Sequence, residues 1–266
     1  MNKTWIYEQT ESNVLQWDHS METHYPETRR WLSSPEEHFV RICQESNYLD
    51  AVKLIDWNHY LGNNGQILDM GCGGGWLSGY LAAFEKVGLV YALDSSKRFL
   101  TVLLPQIANK MGASLEKIVT IQGLFTPLLF QDSSLDVVVA SSALHHAESL
   151  EGVLKEARRV LKKDGLLFIL NETPRPQFRY VLSLVLSFVK ILKKTIVRDY
   201  ESVSPSISAC GYLYDPCLGD KSYPLWYWKE TIKRSGFSIV EVMNTGLPTL
   251  KCKSGASLTH FICKAI

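Results

Sequence analysis

Three groups of residues have the types and spacing to do chemistry. The first is Asp69-Met70-Gly71-Cys72-Gly73-Gly74-Gly75-Trp76, an acid followed by glycines. Glycine lets the backbone turn tightly and approach a ligand closely. A helix beginning behind such a loop offers free N–H groups. The second is Asp94, where a carboxylate at a strand end can accept both hydroxyls of a ribose. Together these argue for a nucleoside-type ligand. The third is His145-His146. Histidine titrates near neutral pH and can take a proton from a hydroxyl or amine nucleophile.

Charge and sterics narrow the ligand. A dinucleotide loop reads G-x-G-x-x-G. Counted from Gly71, its third glycine falls on Trp76, which would obstruct helix–strand packing; counted from Gly73, it falls on Ser78. The carboxylate of Asp69 would also repel a diphosphate. A ligand carrying an ammonium and a sulfonium would meet no such repulsion. These points disfavour a nicotinamide-dependent oxidoreductase.

Composition excludes other classes. The chain has 266 residues, 46% hydrophobic and 21% charged, close to soluble globular averages. Lys+Arg 28 against Asp+Glu 27 gives net charge +1, so no overall basic field points to nucleic acid. None of the 6 cysteines forms a C-x-x-C pair, so neither a zinc site nor a redox motif is expected. The first residues have no apolar core, and no apolar run is long enough to span a bilayer. The expectation is a reduced, cytoplasmic protein with free thiols.

The elements that must position these residues follow from periodicity. Gln66–Met70, Leu89–Leu93 with Val87 before it, Ile118–Gln122, Leu135–Ala140 and Leu166–Asn171 read as strands. Helical periods lie between them at Trp76–Phe84, Ser96–Met111 and Leu150–Leu161. Alternating strands and helices mean βαβ units and a parallel sheet. The run Val137-Val138-Val139-Ala140 reads as buried on both faces. Leu161-Lys162-Lys163-Asp164-Gly165 reads as a helix exit ending in a turn glycine. Ser33-Ser34-Pro35-Glu36-Glu37 reads as a helix start within a helical N-terminal extension, residues 1–60. There Trp17, His19, His24 and Tyr25 are candidates to line a lid. Past Thr173-Pro174 the alternation stops. An apolar helix is expected at Phe178–Val197, then a loop, a helix at Trp226–Ser235, and strands at Phe237–Met243 and Leu258–Ile266.

The stretch from Ile67 to Asn171, resuming near Gly236, resembles the class I S-adenosylmethionine-dependent methyltransferases of small-molecule type. The resemblance rests on the acid-x-Gly-x-Gly-x-Gly motif at Asp69, Gly71, Gly73 and Gly75, on Asp94, on the Asp136–Ala140 strand, and on Ser141-Ser142-Ala143-Leu144-His145-His146. It implies an α/β, Rossmann-like seven-stranded sheet, the last strand antiparallel, with helices on both faces. Residues 61–172 and 224–266 would form the core, and 173–223 a substrate-cap insertion after the fifth strand.

It also implies S-adenosyl-L-methionine as cofactor, bound by Asp69, Gly71, Cys72, Gly73, Gly75, Asp94, Ser95, Gly123, Leu124, Phe125 and Ser141, and methyl transfer to a small-molecule acceptor. His145 and His146 are the catalytic candidates, and no metal is implied. Many members carry an acid after the third strand's glycine; here Leu124 and Phe125 follow Gly123, so adenine would meet backbone N–H groups and apolar contact. The loop at Ser141–Leu144 lacks the motif of nucleic-acid amino-methylating members, and no nucleic-acid partner is expected. A second reading of Phe178–Val197, with Lys190, Lys193, Lys194 and Arg198 at its end, is contact with a lipid surface. A non-catalytic cofactor-binding protein stays open, as do the acceptor and the oligomeric state.

Overall fold

Continuous apolar runs separated by helical periods fold here into one sheet with helices packed on both faces. The computed structural model describes residues 4–6, 34–175, 181, 185, 213–214, 221–249 and 257–266. In chain order they form β1 (Thr4–Ile6), α1 (Pro35–Phe39), α2 (Tyr48–Lys53), α3 (Trp57–Tyr60), β2 (Gly65–Met70), α4 (Trp76–Ala82) and β3 (Val87–Asp94). Then come α5 (Leu104–Lys110), β4 (Ile118–Gln122), β5 (Leu135–Ser141), α6 (Leu150–Val160) and β6 (Leu161–Glu172). The remainder is β7 (Leu213–Tyr214), β8 (Lys221–Ser222), α7 (Leu225–Arg234), β9 (Phe237–Pro248) and β10 (Ser257–Ala265). A wider π turn, Val40–Glu45, extends α1, and another, Phe99–Leu103, leads into α5.

The main sheet has the order β1-β4-β3-β2-β5-β6-β10-β9. Neighbours from β1 to β6 all pair in parallel, and β10 runs antiparallel to both β6 and β9. This is the expected seven-stranded sheet with its last strand reversed, plus one more edge strand. That strand, Thr4–Ile6, corrects the all-helical view of the extension: an extended segment satisfies the N–H and C=O groups that β4 would leave unpaired. Three residues carry too little alternation to be seen in sequence.

Along β5, Val137 and Val139 enter one hydrophobic cluster and Val138 and Ala140 the other. Successive side chains point to opposite faces, so a strand covered on both sides must be apolar throughout. The helix start at Ser34 is as read: its Oγ accepts from the Glu37 N–H at 3.3 Å, with Pro35 opening α1. The helix exit differs. α6 ends at Val160 and β6 begins at Leu161, with Asp164, not Gly165, in the left-handed region at φ +64°. Gly165 is needed for space, since a Cβ there would lie 3.0 Å from the Lys162 carbonyl oxygen and 3.1 Å from that of Asp136.

The order of strands reverses between β2 and β5. The C-terminal ends of parallel strands at such a reversal leave a crevice where ligands bind in open α/β sheets. Asp69, Asp94, Ser141 and Glu172 all stand at that end of their strands. Arg175 and the 222–224 segment are hydrogen-bonded to each other, the Arg175 N–H to the Tyr223 carbonyl at 3.0 Å and Arg175 Nε to Ser222 Oγ at 2.9 Å. The chain between them therefore leaves and re-enters the core at one place. The helix expected at Phe178–Val197 lies outside the described residues except Val181 and Val185, both helical and exposed. Trp17, His19, His24 and Tyr25, and Lys190, Lys193, Lys194 and Arg198, also lie outside them.

Candidate functional site

The glycine loop begins where β2 ends. The N–H groups of Gly71 and Cys72 both donate to the Leu93 carbonyl, at 2.8 and 3.0 Å, which ties the loop to the end of β3. Gly71, Gly73 and Gly75 have φ of +73°, +51° and +76°, a region that disfavours any side chain. Their surroundings separate their purposes. A Cβ on Gly71 would come 2.7 Å from Ala143 Cβ and 3.2 Å from the Phe125 ring. On Gly75 it would strike Leu104, and on Gly74 it would strike His38. On Gly73 it would meet nothing within 4 Å. Gly74 and Gly75 thus allow helix packing, and Gly73 faces open space.

Two carboxylates stand near the C-terminal ends of β2 and β3. Asp69 is buried and accepts from Ser78 Oγ at 2.7 Å, while its Oδ1 has no hydrogen-bond partner among the described residues. Burial pushes its pKa up to about 7, Ser78 opposes the shift, and the charge of Asp94 adds to it. Asp94 accepts from the Gly73 N–H at 2.8 Å and from the Ser96 N–H at 2.9 Å. The Asp94 carbonyl accepts from the Gly123 N–H at 3.0 Å, and the Ser95 carbonyl from Gln122 Nε2 at 3.2 Å. These bonds set Gly123, Leu124 and Phe125 beside the end of β3. Cys72 is buried in the loop with its thiol pKa pushed well up by burial, so it stays a neutral thiol.

A polar cluster closes the other side. Ser142 and Asn171 follow β5 and nearly end β6, and both take positive φ, 49° and 56°. Non-glycine residues in that region store strain that the surroundings must hold. Asn171 Nδ2 donates to Ser141 Oγ at 2.9 Å and to the Tyr48 carbonyl at 3.4 Å, and the Tyr48 hydroxyl pairs with Ser142 Oγ at 2.9 Å. His145 Nδ1 lies 2.9 Å from Glu172 Oε2, and Glu172 Oε1 accepts from the Leu144 N–H at 3.2 Å. The His145 and His146 rings lie 4.2 Å apart between centroids, tilted by 42° to each other.

The expected residues therefore gather at one end of the sheet: Asp69, Gly71, Cys72, Gly73 and Asp94 at the loop, Ser95, Gly123, Leu124 and Phe125 beside it, Ser141, His145 and His146 opposite. Gly75 is apart in purpose, since its missing side chain makes room for Leu104. Sequence reading missed Tyr48, Ser78, Ser142, Asn171 and Glu172. Glu172 alone carried a signal, as an acid at the end of a strand whose neighbours end in site residues. The arrangement fits S-adenosylmethionine: a buried acid oxygen lacking a partner suits an ammonium, a carboxylate held at a strand end suits ribose hydroxyls, and Gly73 leaves room. It does not suit a diphosphate.

This fold is a Rossmann-like α/β sheet whose carboxylates and glycine loop gather at the C-terminal ends of its parallel strands. Residues 68–169 match the family model described as "Methyltransferase domain". The chain is 31% identical over 141 residues to a sterol 24-C-methyltransferase of Aspergillus fumigatus, covering 48% of this chain and 34% of the relative. It is 32% identical over 125 residues to a demethylmenaquinone methyltransferase of Staphylococcus epidermidis, covering 46% of this chain and 50% of the relative. The chain thus spans half or less of the length of these curated relatives. Among solved structures, Burkholderia thailandensis 1,6-didemethyltoxoflavin-N1-methyltransferase, with bound 1,6-didemethyltoxoflavin and S-adenosylhomocysteine, superposes with TM-score 0.61 at 14% identity, covering 96% of this chain and 88% of that one. The stretch from 68 to 169 is thus similar to methyltransferase domains, and the fold is that of the solved methyltransferase.

Proposed function

We propose that this chain transfers a methyl group from S-adenosyl-L-methionine to a small-molecule acceptor. The observation that carries the reading is Gly73, open on its side-chain face with its N–H donating to Asp94. Asp69 would hold the methionine ammonium, directly or through water, and Asp94 the ribose with Ser95 beside it. Gly71, Cys72 and Gly73 would pass along the ligand, with Gly75 starting the helix behind. Gly123, Leu124 and Phe125 would border the adenine, and Ser141 the carboxypropyl arm. When bound, the cofactor supplies an electrophilic methyl on a sulfonium. The protein's part is alignment, which can contribute roughly 7–11 kcal/mol, and exclusion of water. His145 or His146 would take a proton from the acceptor.

Residues 34–60 and the insertion 173–223 would form the walls that select the acceptor. The relatives' names support a small, apolar-bodied acceptor, consistent with the apolar Phe178–Val197 segment meeting such a molecule or a lipid surface. Calorimetry with S-adenosylmethionine, S-adenosylhomocysteine and NAD tests the cofactor. Binding of the first two without the third is expected; NAD binding alone overturns the reading. Incubation of a cell extract with methyl-labelled cofactor, followed by mass spectrometry, tests transfer; a tightly bound cofactor with no labelled product points to a non-catalytic binder.

A further inference from the structure

We infer that Asn171, held in place by His260, is a positioning residue that turns the Ser141 hydroxyl outward as a hydrogen-bond donor for the carboxylate of the cofactor's amino-acid arm. This rests on the methyltransferase reading above. Asn171 Nδ2 lies 2.9 Å from Ser141 Oγ and 3.4 Å from the Tyr48 carbonyl oxygen. A carbonyl only accepts, so the amide presents its NH2 group to that side, and Ser141 Oγ accepts from the same group. A hydroxyl that accepts there keeps its own hydrogen for another partner. Ser141 Oγ has no other partner among the described residues, which leaves that hydrogen for a ligand.

In a regular strand the amide would be out of reach. Ser141 pairs with Leu170 across β5 and β6, and Leu170 lies in the same hydrophobic cluster as Val139. Successive side chains alternate, so Asn171 would point to the opposite face. Its φ of +56° breaks the alternation. Asparagine enters that region more readily than most residues, and His260 fixes it there. The Asn171 N–H donates to His260 Nδ1 at 3.1 Å, and His260 Nε2 lies 3.1 Å from the Ala51 carbonyl. The first partner can only donate and the second only accept, so the ring is neutral with its proton on Nε2. Asn171 and His260 are both buried. The part of the ligand that Ser141 meets follows from its neighbour. Asp69 pairs with Val139 across β2 and β5, and Ser141 follows Val139 on the same face. Asp69 Oδ1, buried without a partner among the described residues, suits the ammonium. In an amino acid the ammonium and the carboxylate share one carbon, so a donor further along the same face falls to the carboxylate, where a charge-assisted hydrogen bond is the stronger kind.

The tautomer is read first, by nitrogen-15 NMR of the His260 ring in the wild type at pH 8. A proton on Nε2 is expected; a proton on Nδ1 overturns the proposal. Calorimetry then compares S-adenosylhomocysteine with its decarboxylated analogue, which keeps the ammonium. The wild type should bind the first at least tenfold more tightly, and equal affinities overturn the proposal. Ser141→Ala and Asn171→Gly should each cut that preference about fivefold or more, while affinity for the analogue moves less than about twofold. The double variant should match Ser141→Ala within about twofold, because Asn171 acts through Ser141. His260→Gln should behave as Asn171→Gly does, and His260→Asn, whose side-chain oxygen can take the Asn171 N–H, should restore the preference. Equal losses for both ligands in Asn171→Gly would make the residue merely structural and overturn its role. Where a variant does not fold, the wild-type preference and the tautomer still decide. If neither ligand binds the wild type, the methyltransferase reading itself has failed, and the proposal with it.

Discussion

Asp69 is a carboxyl group placed where the fold alone would not want one. Its pKa, pushed up to about 7 by burial, means the folded protein holds a proton there that the unfolded chain releases near the ordinary value of 3.8. Between those two values the folded state binds more protons, so stability falls as pH rises through the window and the penalty is complete above about 7. Asp69→Asn keeps an acceptor for Ser78 and should stabilise the protein above pH 7 by on the order of 1–3 kcal/mol. The same change should weaken S-adenosylmethionine binding at least tenfold. Melting curves and calorimetry at pH 6 and pH 8 check both, and wild-type affinity should drop toward pH 6. Asp94 carries the opposite expectation. Because it accepts two backbone N–H groups, Asp94→Ala should cost roughly 1–3 kcal/mol of stability as well as tenfold or more in cofactor affinity. Unchanged affinity would place the ribose elsewhere. Its bond to the Gly73 N–H gives Asp94 a loop-holding duty beside the binding role expected from sequence.

Among the elements, the glycine loop separates binding from packing. Gly73→Ala puts a methyl into open space at φ +51°, so it should cost only about 1–2 kcal/mol and chiefly reduce cofactor affinity. Gly71→Ala drives a methyl into Ala143 at 2.7 Å, so it should lose more stability than Gly73→Ala in the same thermal melt. Equal melting points would mean that the loop yields freely. The α2 helix is the other positioning element. Tyr48 holds Ser142 by its hydroxyl and Asn171 by its carbonyl, and His260 Nε2 lies 3.1 Å from the Ala51 carbonyl. Burial lowers the His260 pKa, which favours the neutral ring that accepts from the Asn171 N–H at 3.1 Å. Tyr48→Phe should cost about 0.5–1.5 kcal/mol and raise the acceptor KM more than the cofactor Kd, measured by steady-state kinetics and calorimetry.

For the whole molecule, ligand binding should add to stability. At about 100 times its Kd a ligand contributes about 2.7 kcal/mol, a melting shift of roughly 5–10 °C at this size. S-adenosylmethionine and S-adenosylhomocysteine should each give that shift in a thermal melt, and NAD none. The two ends of the insertion meet at Arg175 and Tyr223, so a short linker replacing residues 178–222 should leave a foldable core. Cofactor affinity should be retained and acceptor turnover lost; untouched turnover would remove the cap from the site. Among the described residues, no helix is long and apolar enough to cross a membrane.

Most of the core was legible because period and breakers act locally. Strands from Gln66 to Asn171 announce themselves by unbroken apolar runs, which only double-sided burial explains. The acid and glycines of the loop are legible because backbone freedom is written in residue type. The β1 edge strand was not, because three residues gain their conformation from β4 and not from themselves. Nor was the division of labour among glycines, since Leu104, Ala143 and His38 reach the loop from far along the chain. The pairing of His145 with Glu172 depends on two strand ends lying side by side, a matter of sheet register. The sequence by itself determined the sheet and the glycine loop. Only the tertiary structure decided which carboxylate is buried with one oxygen unpaired among the described residues and which histidine stands beside an acid, because those facts depend on distances between elements that no local preference sets.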